Sequence, residues 1–162
     1  MKKIICVCLM LFLCACSGKN VVPNLKNISF TASVCCYNEM YECEVEVDSS
    51  GGAVMKVTYP NELSGLKFIC KNGIVTAEYL GLSYTPDFEK MPSGAVVKTV
   101  YGIVNDCNSN DIKVEDDNGN YRVSGKIGER AYNLMITPSG LPVSAKVPDE
   151  SYIIDFKNVT LK

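Results

Sequence analysis

The residues best suited to chemistry are cysteines: the chain carries nine of them and no histidine. Without an imidazole, every mechanism that needs a neutral-pH histidine base is closed to it. A thiolate could serve as nucleophile or metal ligand, and two thiols could join as a disulfide. Beyond the N-terminal region five cysteines remain, Cys35, Cys36, Cys43, Cys70 and Cys107. None forms a Cys-x-x-Cys pair with another, which argues against a redox enzyme or a zinc site. Cys36 and Cys43 are the candidates for a disulfide. A turn centred between Glu39 and Met40 would set them directly opposite on the apolar face of a hairpin, with Cys35 pointing the other way. An odd count leaves at least one thiol free. The competing reading makes all five small buried apolar side chains.

Carboxylates are the second group. Glu42, Glu44, Glu46 and Asp48 alternate with Tyr41, Cys43, Val45 and Val47. They read as the solvated face of a strand, because nothing positions two of them in a cleft as a catalytic pair. Asp116-Asp117-Asn118-Gly119-Asn120 has the composition of a calcium loop but neither the spacing nor the distal Glu of an EF-hand, and reads as a hairpin turn. The chain has no Gly-x-Ser-x-Gly elbow, phosphate loop or metal-ligand spacing, so neither an enzyme nor a cofactor or metal is expected. A net charge of −2 with no basic stripe gives no reason to bind nucleic acid.

These residues must be positioned by strands. From Ile28 onward the hydrophobic period is two. Ile28, Phe30, Ala32, Val34 and Cys36 share one face, and a turn near Asn38-Glu39 would lead into the strand Tyr41–Asp48. Further strands are expected over Ala53–Tyr59, Lys67–Cys70, Ile74–Tyr84, Asp111–Glu115, Tyr121–Ile127, Ala131–Thr137, Leu141–Val147 and Ser151–Val159. Asn72-Gly73 is the strongest of the turn signals between them. One segment departs from this period. After a Ser93 N-cap, Val96, Val97, Val100, Tyr101, Ile103, Val104 and Cys107 recur at helical spacing, with Lys98 and Thr99 off the stripe. Pro86–Pro92, ahead of it, reads as an exposed loop crossing a sheet edge. The fold class is therefore α+β and mostly β. A curling antiparallel sheet of nine or ten strands carries one helix.

The N-terminus is of another kind. Lys2-Lys3 precede an unbroken apolar run, Ile4 to Leu13, which is too short to span a bilayer and has the form of an export signal. It ends in Leu13-Cys14-Ala15-Cys16, followed by Ser17-Gly18-Lys19. This resembles the bacterial lipobox. The resemblance implies cleavage after Ala15, a diacylglyceryl group on the Cys16 thiol, and an extracytoplasmic protein lipid-anchored to the cell membrane. The expected organisation is a signal over 1–15, a lipidated tether over 16–27 and one domain over 28–162. Two acyl chains would make such anchoring stable, at ~0.8 kcal/mol per buried CH₂.

The exported domain is similar to the Lol-type lipoprotein-carrier superfamily, the LolA/LolB-like half-barrels, small lipid-anchored members of which occur in anaerobic Gram-positive bacteria. The residues that carry the likeness are Tyr59-Pro60-Asn61-Glu62-Leu63-Ser64-Gly65-Leu66-Lys67-Phe68, Tyr79-Leu80-Gly81-Leu82, the helix, Gly140-Leu141-Pro142-Val143 and Asp155-Phe156-Lys157-Asn158. It implies a strongly curved antiparallel sheet with the helix packed in its concave face, enclosing an apolar cavity for acyl chains. Phe30 and the helix residues Val96, Val100, Ile103 and Val104 would wall that cavity; the same residues would equally serve as a packed core. The chain departs from the fuller family pattern in having no long amphipathic helix before the first strand. Two readings follow. One is a membrane-anchored protein that binds or accepts a lipid or acyl chain. The other is a fully packed module that senses or contacts another envelope protein.

Overall fold

The computed structural model describes residues 21–92, 94–108 and 112–162. Cys16, Ala15, the Ser93 cap and Asp111 lie outside the described residues. Among the described residues eleven strands form one antiparallel sheet: β1 (Ile28–Cys36), β2 (Glu39–Val47), β3 (Ala53–Tyr59), β4 (Lys67–Lys71), β5 (Ile74–Tyr79), β6 (Leu82–Tyr84), β7 (Lys113–Asp117), β8 (Asn120–Ile127), β9 (Arg130–Ile136), β10 (Pro142–Val147) and β11 (Tyr152–Leu161). Their order is β6-β5-β4-β3-β2-β1-β11-β10-β9-β8-β7. The first and last strands are thus neighbours at the centre, and β6 and β7 are the two edges. The chain between the edges carries the helix, α1 (Val96–Cys107). A connection from one edge to the other must cross a face of the sheet. Crossing the concave face buries the apolar stripe.

The turns set the strand count. Leu80-Gly81 is a two-residue loop with both φ positive, at 49° and 81°, the geometry of a type I′ turn. It divides the expected strand Ile74–Tyr84 into β5 and β6. A leucine in the left-handed region is costly enough that its sequence carries no turn signal. The β1–β2 turn lies at Tyr37-Asn38, both with positive φ, so the register pairs Cys36 with Glu39 and Ala32 with Cys43. This corrects the expected opposition of Cys36 and Cys43. They share a face but stand four residues apart along the hairpin, roughly 13 Å at strand rise. A disulfide needs Cα atoms within ~7 Å. Cys35, Cys36, Cys43, Cys70 and Cys107 are all free thiols, and only Cys35 is not buried.

The core lies between the concave face and α1. Ile28, Phe30, Ala32 and Val34 of β1 meet Val45, Val47, Met55, Leu134, Ile154 and Phe156 from neighbouring strands. Of the helix only Asn105 is exposed. Thr99, expected off the stripe, is fully buried, because the helix is covered on more than its apolar side. Its hydroxyl is satisfied by Arg130 of β9 at 3.3 Å. The segment expected to be tether is docked from Val21 onward. Leu25 is fully buried, and the Asn24 N–H donates to the Gly140 carbonyl at 2.8 Å. Gly140 has φ 83°, and a Cβ there would meet the Val22 carbonyl oxygen at 2.3 Å. Only glycine permits this approach.

Candidate functional site

Of the five residues expected to wall a cavity, four are buried in the core cluster and Val96 packs against it. Phe30 packs edge-on against Phe156, with ring centroids 5.1 Å apart, and Val100, Ile103 and Val104 are buried in the continuous core. Val96, at the start of α1, lines a pocket of about 230 Å³. Its neighbour Val97, also of the stripe, lines the pocket too, and the remaining wall comes from residues that the stripe does not contain. They are Cys36 at the end of β1, Tyr41 and Cys43 of β2, Met55 and Val57 of β3, Leu63 and Leu66 of the β3–β4 connection, and Phe68 of β4. Met91, Gly94 and Ala95 close it from the segment before the helix. Leu63, Leu66 and Phe68 belong to the stretch Tyr59–Phe68 that carries the family likeness, which is the one signal in the sequence that could have pointed here. Met91 comes from the loop expected to be exposed.

Among the described residues no charged side chain lines the pocket. Burial pushes the Cys43 thiol up to about 12 and raises that of Cys36, so both remain neutral at physiological pH. The Tyr41 hydroxyl donates to Glu39 at 2.6 Å, and this bond, with burial, moves the phenol up to about 12. Neutral thiols and thioethers present apolar, polarisable walls. The pocket can therefore hold an apolar group. It offers nothing to a charged one, which would leave water uncompensated.

The start of the helix is pinned from behind. The Tyr152 hydroxyl donates to the Gly94 carbonyl at 2.5 Å. Arg130 donates to Glu150 at 2.6 Å and to Thr99, tying β9 to the turn before β11 and to the helix. In front, Lys98 donates to the carbonyls of Glu89 and Met91, each at 3.2 Å, and its ammonium lies 5.4 Å from the Phe88 ring centroid. Phe88 in turn meets Tyr101 edge to face. The loop before the helix is thus packed against it, with Met91 held over the pocket.

The pocket sits at the Cys36 end of β1, and the docked N-terminal segment at its Ile28 end. Strand rise separates these ends by roughly 26 Å. A second hollow of about 270 Å³ lies near the Ile28 end and is rimmed by Glu46, Asp48, Lys71 and Lys162. Two of these charges pair, Lys162 with Glu46 at 2.7 Å. Among the described residues no three His, Cys, Asp or Glu side chains are grouped to hold a metal, and no helix is long and apolar enough to cross a membrane.

No protein-family model matches the sequence, and no curated protein matches it. Solved structures do match. The fold is similar to that of a LolA superfamily protein from Nitrosomonas europaea, with a TM-score of 0.51 at 10% identity over 88% of this chain and 89% of that one. A DUF1329 family protein from Desulfovibrio piger gives 0.47 at 10% identity, covering 84% and 86%. LprF from Mycobacterium bovis gives 0.36 at 16% identity, covering 81% and 84%. An open antiparallel sheet, a long crossover between its edges and a helix in its concave face are what this chain shares with the fold of that LolA superfamily protein.

Proposed function

We propose that the chain is an extracytoplasmic lipoprotein, anchored to the membrane through lipidated Cys16 after cleavage at Ala15, whose half-barrel binds an acyl chain in the apolar pocket. The observation that carries this reading is the pocket beside Val96: about 230 Å³, with no charged side chain among the described residues of its wall. That volume exceeds an engineered ~150 Å³ cavity that takes up benzene, and is smaller than the ~300 Å³ at which drug-sized sites begin. It suits the end of one acyl chain better than a whole lipid. Each buried CH₂ would contribute ~0.8 kcal/mol without any polar recognition.

The test uses the full chain purified in mild detergent and titrated with a fluorescent fatty acid. Saturable binding, with a retained mass of one fatty acid in native mass spectrometry, is the expected result. If neither is seen, the second reading takes its place, a packed module that contacts another envelope protein. The near-complete burial of Phe30, Val100, Ile103 and Val104 supports that alternative. The anchor is tested separately. Cys16→Ser should remain unprocessed and take up no labelled palmitate. Recovery of that variant from membranes as mature protein would sink the lipobox reading.

A further inference from the structure

The two edges of the open sheet are built differently. β7 reads Lys113-Val114-Glu115-Asp116-Asp117, and its charges guard it against strand addition. β6 reads Leu82-Ser83-Tyr84, with no charge, proline or bulge. Leu82 is 76% and Tyr84 69% exposed, and the adjoining turn residue Leu80 is 85% exposed.

Hydrogen-bond parity decides which backbone groups of this edge are open. The Leu80-Gly81 loop has two residues, so Tyr79 and Leu82 form its hydrogen-bonded closing pair. Parity alternates along an antiparallel ladder, so Tyr84 is bonded to Ala77, and Ser83 is not bonded to Glu78. The N–H and C=O of Ser83 therefore point out of the sheet. Val75 is buried, which places its alternates Ala77 and Tyr79, and their partners Tyr84 and Leu82, on the concave side. Ser83 and Glu78 lie on the convex side, where Lys67 pairs with Glu78 at 3.3 Å.

We propose that β6 pairs antiparallel with β6 of a second copy of this chain, about a two-fold axis through Ser83. The edge is self-complementary. Ser83 exchanges two backbone hydrogen bonds with the partner's Ser83. Leu82 stands opposite the partner's Tyr84, and Tyr84 opposite the partner's Leu82. These are non-hydrogen-bonded positions, where side chains approach most closely, and each gives an aliphatic–aromatic pair. No like charges meet, since the nearest carboxylate is already paired. The open stretch is short, bounded by the Gly81 turn and by Pro86, which has no N–H. A second copy ends at the same points, whereas a longer partner strand would leave its own backbone unpaired beyond them. An interface this short makes a weak, concentration-dependent dimer, and the inference holds whether or not the pocket takes a ligand.

The test is Ser83→Cys in the full chain, oxidised mildly in its own membrane. A hydrogen-bonded antiparallel pair has Cα atoms ~5.5 Å apart, within disulfide range. The expected product is a reducible homodimer, absent from the wild type and from Glu115→Cys on the charged edge. Sedimentation of the detergent-solubilised chain gives a second readout. Leu82→Lys and Tyr84→Glu should each be monomeric alone and form a heterodimer when mixed, because each places its new charge opposite the other. The proposal is overturned if Ser83→Cys gives no homodimer above the wild-type background, if it cross-links to a different protein instead, or if mixing restores nothing.

Discussion

The hydroxyl of Tyr132 crosses the backbone of Gly125 to donate to Asp106 of the helix at 2.7 Å. Tyr132 and Gly125 are cross-strand partners in β9 and β8. A Cβ at position 125 would stand 2.5 Å from the Tyr132 hydroxyl oxygen and 2.2 Å from the Asp106 carboxylate. The Lys126 N–H also reaches that carboxylate, at 3.3 Å, and the Cys107 thiol lies 3.2 Å from the Tyr132 hydroxyl. Gly102 repeats the device on the helix side, where a Cβ would meet the Ile127 side chain at 2.5 Å. Two glycines thus let the last turns of the helix sit against the sheet.

Gly125→Ala should therefore cost about 2–3 kcal/mol, by forcing apart a close-packed contact. Tyr132→Phe should cost about 1.5–3 kcal/mol, through loss of a hydrogen bond to a charged group. Urea denaturation reads both. A Gly125→Ala variant as stable as the wild type would mean the helix is not seated on this glycine.

The Arg130–Glu150 pair is nearly enclosed, at 12% and 13% side-chain exposure. Glu150→Gln should destabilise the fold by about 2–3 kcal/mol, less than for a fully dry pair, because it leaves a guanidinium largely out of water. The loss should change little between low and high salt. A strongly salt-dependent effect would show the pair to be solvated.

The buried thiols predict alkaline sensitivity. Burial pushes Cys43, Cys70 and Cys107 each up to about 12 from an ordinary 9.0. Above pH 9 the unfolded chain releases these protons while the folded chain retains them, so stability should fall as pH rises from about 9 to 12. Each thiol contributes about 1.4 kcal/mol per pH unit in that window. Circular dichroism across pH 8 to 12 follows the loss. At pH 8, iodoacetamide should modify Cys35 and spare Cys36, Cys43, Cys70 and Cys107.

Pocket and core are separable by mutation. Val96→Trp should fill the pocket and weaken fatty-acid binding about tenfold or more, with the folded spectrum unchanged. Val104→Ala should cost about 2 kcal/mol of stability and leave binding as it was. Equal effects of the two on binding would mean that pocket and core are one space.

Much of the fold is legible along the chain. Alternation over Ile28–Cys36 and Tyr41–Val47 is strict, and such a period admits a half-buried strand and little else. Asn72-Gly73 and Asn118-Gly119 mark their turns because both residue types tolerate positive φ, as they adopt here. The helix over Val96–Cys107 follows from its apolar spacing. The turns at Tyr37-Asn38 and Leu80-Gly81 were less visible, since Tyr and Leu ordinarily avoid that region. Misplacing the first by two residues was enough to set Cys36 opposite Cys43.

By itself the sequence determined most of the strands and the helix, because each depends on neighbours along the chain. Only the tertiary structure decided what the helix would touch. Thr99 is buried with its hydroxyl oxygen accepting from Arg130 of a distant strand. Val96 lines a pocket, while Val100, one turn further on, is buried in the core. The pocket wall is gathered from four strands, a connection, a loop and the start of the helix, and no local period links those segments. Their meeting depends on how far the sheet curves around the helix, and that is set by packing across the whole domain.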